Sequence, residues 1–412
     1  MTERLDKRIL SNGMVLLAEP MAEVESAAFG FMLPAGAATL PEGCCGAGNV
    51  ITDWVFRGAG DLNSRQLSDA LDGLGLHRSS STNSSHLTVG AALEAAKLTE
   101  ALALYADILL RPALPEKQFD LARLLALDGV RSMDDNPRQK VMIQLREHFY
   151  RAPLGRSTVG RIDELESLTS DCIREVIREK FSMPQTILAV AGKYDFNSLA
   201  EQVEGLFGTA EDRRPKTPAL GGKGEPYVHI PNEGSQVHIG LMTPTVAPGD
   251  ERYYDARVAI SILSGGMSAR LFTEVREKRG LCYAIGARYH SLKNAAGIMC
   301  YAGTTPDKAQ ETLDVVAEQF RGLGDGITEE ELQRAKAGLK SNLILQSESS
   351  SSRAAGVGRD YYVLGRVRTL DEIKQAIEKV TVESVTAFVG ENAFEDFTVV
   401  TVGPKPVQMK LS

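Results

Sequence analysis

Gly46-Ala47-Gly48-Asn49-Val50-Ile51-Thr52-Asp53-Trp54-Val55-Phe56-Arg57-Gly58 reads as one short helix with a small-residue lead and a glycine stop. Asn49, Thr52 and Asp53 stand at i, i+3 and i+4, so their side chains share one helix face. Two His at i and i+4, with a Glu between them, would hold Zn²⁺ on such a face and activate the metal-bound water. This stretch carries none of those residues. Asn is a poor zinc ligand, Thr cannot serve as the base, and Asp53 alone holds no metal. The segment is either an ordinary helix or the frame of a zinc helix without its ligands.

The chain repeats itself. Leu114-Pro115-Glu116-Lys117-Gln118-Phe119 is echoed by Ile327-Thr328-Glu329-Glu330-Glu331-Leu332, and Leu154-Gly155-Arg156 by Leu364-Gly365-Arg366. Leu168-Thr169 matches Val380-Thr381, and Val190-Ala191-Gly192 matches Thr401-Val402-Gly403. The offsets are 213, 210, 212 and 211 residues, which marks two copies of one unit. The expected domains are 1–208 and 227–412, joined by a Pro- and Gly-rich linker at 209–226. Strands interspersed with helix pairs, ending on an apolar strand, predict α+β domains with helices on one sheet face.

Local signals place several elements. Residues 9–17 around Asn12-Gly13 predict a hairpin. Leu98, Leu102, Tyr105, Ile108 and Leu109 recur at helical spacing, and Pro112 closes that helix. Residues 163–180 read as helical for the most part. Thr305-Pro306 predicts a helix start, with a core stripe of Leu313, Val316, Phe320 and Leu323.

In the second copy, Leu263-Ser264-Gly265-Gly266-Met267-Ser268-Ala269-Arg270-Leu271-Phe272 precedes Arg276-Glu277-Lys278-Arg279-Gly280-Leu281-Cys282-Tyr283. Gly280 can end a helix in the left-handed conformation, and a strand can start at Leu281. Taken alone, Arg276 reads as a solvated helix-end cation and Tyr283 as a core residue.

Together, the degenerate helix, the duplication and this run resemble the pitrilysin/insulinase family of inverted-zincin (H-x-x-E-H) metallopeptidases, which includes mitochondrial processing peptidase. In that family an Arg and a Tyr seven positions apart grip substrate backbone and steady the oxyanion of the tetrahedral intermediate. The resemblance assigns those substrate-binding roles to Arg276 and Tyr283. It places the family's two His and its Glu base at Asn49, Asp53 and Thr52, and its third ligand at Gly129, which has no side chain. No catalytic residue and no metal ligand is expected in this chain. The resemblance implies a non-catalytic, substrate-binding subunit of a heterodimeric zinc peptidase. Zinc would come from an H-x-x-E-H-bearing subunit of similar size, and the substrate would be a peptide or unfolded segment. A scaffold subunit and a stand-alone peptide-binding homodimer are the alternatives it leaves open.

Composition narrows the remaining classes. Net charge is −8 over 412 residues, with no basic tract, which argues against nucleic acid or an anionic membrane surface as partner. No apolar run approaches the ~20 residues of a membrane span. The start, Met1-Thr2-Glu3-Arg4-Leu5-Asp6-Lys7-Arg8, has no apolar core of a signal peptide, so a cytoplasmic location is expected. Five Cys, an odd count without framework spacing, read as reduced thiols; Cys44-Cys45 is the only adjacent pair.

Overall fold

The computed structural model describes residues 5–210 and 220–409. They form two compact units, each assembled from three chain segments. The first gathers Met1–Ser132, Arg156–Gly221 and Gln346–Val367; the second gathers Met133–Gly155, Gly222–Leu345 and Arg368–Ser412. Residues 211–219, half of the expected linker, lie outside the described residues. No helix among the described residues is long and apolar enough to cross a membrane.

In the first unit, strands β1 (Asp6–Ile9), β2 (Val15–Pro20), β3 (Ser26–Leu33), β4 (His77–Thr82), β5 (Leu87–Glu94) and β6 (Ile187–Gly192) build one sheet. Its order is β1-β2-β6-β3-β5-β4, antiparallel except for β2 with β6. The expected hairpin is present, with Ile9 opposite Val15 and Gly13 at φ 97° in the turn. β4, His-Arg-Ser-Ser-Ser-Thr, lacks the alternation that marks a strand, yet pairs with β5 along its whole length. An edge strand with both faces largely solvated needs no apolar pattern.

Helices are numbered along the chain. In the first half these are α1 (Ala47–Trp54), α2 (Leu98–Leu110), α3 (Phe119–Arg131), α4 (Pro137–Phe149), α5 (Ser170–Lys180) and α6 (Phe196–Phe207). In the second half they are α7 (Tyr253–Ser264), α8 (Ala309–Arg321), α9 (Ser350–Leu364) and α10 (Val382–Glu391). The expected helical stretch at 163–180 is two helices, Ile162–Ser167 and α5. The Thr169 side chain accepts the Cys172 N–H and starts a new helix there.

On one face of the first sheet, Phe29 and Phe31 pack with Tyr105 of α2, and Phe31 also with Phe207 of α6. The opposite face, where no helix was expected, is covered by α9 from the far end of the chain. Ala354, Val357 and Gly358 of α9 meet Ala28, Ala189 and Ala191 of the sheet. Small residues on both sides let the helix backbone come close.

The second unit repeats this plan. Its strands are β7 (Tyr227–Pro231), β8 (Val237–Thr245), β9 (Cys282–Ser291), β10 (Ala296–Thr304) and β11 (Thr398–Gly403), in the order β9-β10-β8-β11-β7. α7, α8 and α10 pack on one face, burying the stripe Leu313, Val316 and Phe320. α8 begins at Ala309, later than Thr305-Pro306 implied, because Lys308 N–H closes a separate turn on the Thr305 carbonyl. The other face is covered by α4, whose Val141, Leu145 and Phe149 meet Met242, Met299 and Val400.

Equivalent features recur at the repeat spacing. In each sheet the last strand pairs in parallel with a strand ending in proline, Gly192 opposite Pro20 and Gly403 opposite Pro231. α4 and α9, the two helices that lie on a sheet built mainly from the other half of the sequence, start 213 residues apart. The architecture is a two-domain α+β fold.

Candidate functional site

The small residues leading into α1 are packing requirements. Gly46 caps the helix at φ 95°, and a Cβ there would come within 2.7 Å of Gly160 Cα. A Cβ on Gly48 would meet the Thr82 hydroxyl oxygen of β4 at 2.5 Å. Val50, Ile51 and Trp54 are buried, and Trp54 Nε1 donates to the Pro115 carbonyl at 3.1 Å.

The outward face of α1 is chemically occupied. Asn49 Nδ2 donates to the carbonyls of Thr158 and Val159 at 3.1 and 3.0 Å. The Thr52 hydroxyl turns back to the Asn49 carbonyl at 3.0 Å, and Asp53 is ion-paired with Arg57 one turn on. Gly129 lies on α3, which packs against α1, but contributes no donor. An amide committed through its N–H groups, an inward hydroxyl and a neutralised carboxylate do not make a zinc donor set. Among the described residues no group of three His, Cys, Asp or Glu could hold a metal ion.

In the second unit, Arg270 opens the segment that carries the Arg276/Tyr283 run. Its guanidinium bonds both Glu331 oxygens, at 2.7 and 3.0 Å, and the carbonyls of Leu323 and Asp325 at 3.1 Å. Burial raises the Glu331 carboxyl, but the Arg270 and Thr328 hydrogen bonds outweigh it and hold the group below its usual range. Arg270 is thus an internal clamp.

After it, Phe272–Lys278 forms a π-helical turn, a rare conformation frequent at functional sites. Wider winding brings Arg279 to Glu274, which also takes Lys278, so one carboxylate is saturated by two neighbours. Arg276 is left exposed, its guanidinium over the Phe272 ring at 4.8 Å. No ion-pair partner of Arg276 is present among the described residues. Gly280, at φ 57°, ends the turn as its sequence position predicts.

β9 then opens with a bulge. Cys282 pairs with Thr304 and Ala284 with Gly303, leaving Tyr283 as the extra residue. Cys282 faces the helical core while Ala284 faces α4. The bulge swings Tyr283 onto the α4 side. Its ring lies across Gly303, where a Cβ would meet the Tyr283 hydroxyl oxygen at 2.5 Å and that of Tyr301 at 2.8 Å. Tyr283 is 43% exposed and donates its hydroxyl to Gln236 Oε1 at 2.5 Å.

Behind it stands a part-buried polar cluster that sequence reading did not find. Tyr301 Oη is 2.8 Å from His238 Nδ1, and the Arg138 guanidinium of α4 lies over the Tyr301 ring at 4.8 Å. Burial, then the bond to the Tyr283 hydroxyl, pushes the Tyr301 phenol above its ordinary range. Burial, then the Arg138 charge, holds His238 below its usual value. The His238–Tyr301 bond runs in the direction set by which ring nitrogen carries the proton, and the Tyr283 hydroxyl donates outward to Gln236. No motif announces Arg138, Gln236, His238 and Tyr301. A His and a Tyr on alternate, same-face positions of neighbouring strands are the only hint.

The insulinase description of peptidase family M16 matches residues 15–161, and the peptidase M16 inactive domain matches residues 167–339. The chain belongs to peptidase family M16. Among M16 relatives, the uncharacterized zinc protease YmxG of Bacillus subtilis is 26% identical over 400 residues, covering 95% of this chain and 97% of that one. A peptidase M16 inactive domain from Pseudomonas fluorescens shares the fold with TM-score 0.88 at 20% identity, covering 99% of this chain and all of that one. A protease from Helicobacter pylori does so with TM-score 0.87 at 19% identity, covering 98% of this chain and all of that one.

The α1 geometry sets a direct expectation for this M16 chain. Protein purified without chelator should carry far less than one zinc per chain by elemental analysis. One tightly held zinc, lost on replacing Asp53 with Ala, would show that Asn49 and Asp53 rearrange into ligands.

Proposed function

We propose that this chain is the non-catalytic, substrate-gripping member of a heterodimeric zinc peptidase that acts on peptides or unfolded segments. Zinc and the general base are supplied by an H-x-x-E-H-bearing M16 subunit of similar size. The observation that carries the proposal is Tyr283, aimed by a bulge, half exposed, and with its hydroxyl donated outward to the exposed Gln236. A substrate carbonyl that takes the place of Gln236 Oε1 receives the same hydroxyl. Arg276, exposed and without a carboxylate, supplies the second grip through its planar fork. A cytoplasmic setting belongs to the same proposal, supported by cysteine usage without a disulfide framework.

The test is co-purification from native cells, followed by peptide hydrolysis with the isolated and mixed subunits. A co-purifying chain with H-x-x-E-H, and activity only in the mixture, is the expected result. Recovery of this chain alone as a peptide-binding homodimer, or within an assembly lacking a zinc-bearing M16 chain, would overturn it.

Gly303 offers a finer check. Ala at this position intrudes on the tips of two tyrosine side chains and not on backbone, so Tyr283 yields by turning outward. Gly303→Ala should leave the unfolding midpoint near wild type while costing much of the about 10²–10³ in kcat that a lost oxyanion donor is worth. Unchanged kcat in the mixed enzyme would mean that the present Tyr283 position is not the working one.

A further inference from the structure

Cys44 and Cys172 are 128 residues apart in sequence, but their sulfurs are 3.4 Å apart within the first unit. Cys44 lies in the turn that leads into α1, its carbonyl accepting the Ala47 N–H at 3.0 Å. Cys172 is in the first turn of α5. Cys44 is buried and Cys172 partly exposed. The adjacent Cys45 points elsewhere, towards the Ser157 carbonyl at 3.4 Å. A disulfide holds its sulfurs about 2.05 Å apart, so small side-chain rotations close the gap.

We propose that Cys44 and Cys172 are a redox-active dithiol that closes to an intramolecular disulfide when met by a small disulfide oxidant such as glutathione disulfide. Cys172 is the sulfur that a dissolved oxidant reaches first. Its thiolate attacks one sulfur of the oxidant, expelling one thiolate and leaving a mixed disulfide on Cys172. Cys44 then gives up its proton to the released thiolate and attacks the Cys172 sulfur, expelling the second small thiolate, which takes up the proton Cys172 lost to solvent before the first step. One oxidant disulfide is reduced to two thiols, and two protein thiols become one disulfide. Burial first, then the hydrogen bond and charge of Cys172, push the Cys44 thiol up to about 12. Capping Cys172 removes the last two causes, which favours the second step over direct attack by Cys44 on the oxidant.

The closed form ties the turn before α1 to α5 and constrains a long loop of the unfolded chain. The experiment equilibrates the purified full chain with excess glutathione disulfide, alkylates the remaining thiols and maps tryptic peptides. The expected product joins peptide 9–57 to peptide 162–174, disappears in Cys172→Ser and persists in Cys45→Ser. Oxidation should raise Tm by about 5–15 °C, reversibly with dithiothreitol. Cys172→Ser should abolish that rise, its site being partly exposed and tolerant. A crosslink through Cys45, covalent dimers in its place, or full alkylation of Cys44 and Cys172 in the wild-type chain after oxidation would each overturn the proposal.

Discussion

Tyr283→Phe is expected to lower kcat of the reconstituted zinc peptidase by about 10²–10³, the usual cost of one lost oxyanion donor. The substitution removes a single hydroxyl from a ring that is 43% exposed, and the hydrogen bond it deletes goes to the exposed Gln236. Phe keeps the ring and its apolar contacts, so assembly and thermal stability should stay near wild type. If the hydroxyl acts on the developing oxyanion, kcat and kcat/KM fall together, because the interaction is made in the transition state. Arg276→Lys should behave differently. An ammonium keeps the charge but loses the two parallel N–H groups, so KM rises while kcat falls less. Peptide hydrolysis by mixed subunits, with size-exclusion chromatography to confirm the complex, separates these outcomes. Full activity from an Arg276→Ala, Tyr283→Phe double variant in an intact complex would reduce this chain to a scaffold.

Arg353→Ala is expected to destabilise the first unit by about 3–5 kcal/mol, the range for removing one partner of a buried ion pair. Arg353 of α9 reaches Glu19 of β2 through one edge of its guanidinium, Nε to Oε1 at 2.7 Å and Nη2 to Oε2. The side chains are 11% and 12% exposed, so the loss leaves a carboxylate with little water and no counter-charge. The pair also pins a helix that packs Ala354 and Gly358 against Ala28 and Ala189, with Val357 on Leu17 and Ile187. Urea unfolding measures the loss. Arg353→Met combined with Glu19→Gln should recover much of it, since apolar or neutral groups of similar volume avoid the unpaired charge. A loss below about 1 kcal/mol, the value of a surface pair, would mean that α9 is held by packing alone.

Much of the local structure was legible in the chain because its causes are short-range. Asn12-Gly13 specified a hairpin, and Leu313, Val316 and Phe320 specified a buried stripe. Gly280 marked a helix end that does take positive φ. That Asn49, Thr52, Asp53 and Gly129 are not the His and Glu of a zinc site is legible in the chain, because a ligand set depends on residue identity. Where local reading failed, another local bond had won: the Thr169 cap split one expected helix in two, and the turn at Thr305 delayed another.

Long-range pairing was decided only in the tertiary structure. Nothing within residues 137–149 or 350–364 names the sheet they cover; large apolar side chains assign the first, and a small-residue seam with one ion pair the second, to strands far away in sequence. The same holds for the site. Arg276 and Tyr283 are visible as a motif, whereas the bulge that turns Tyr283 over Gly303, the Tyr301–His238 chain behind it and the Cys44–Cys172 contact arise from strand register and helix packing. Dihedral preferences and caps act over a few residues and are written locally. Which surfaces meet depends on complementary shape and charge between segments that the chain keeps apart until it folds.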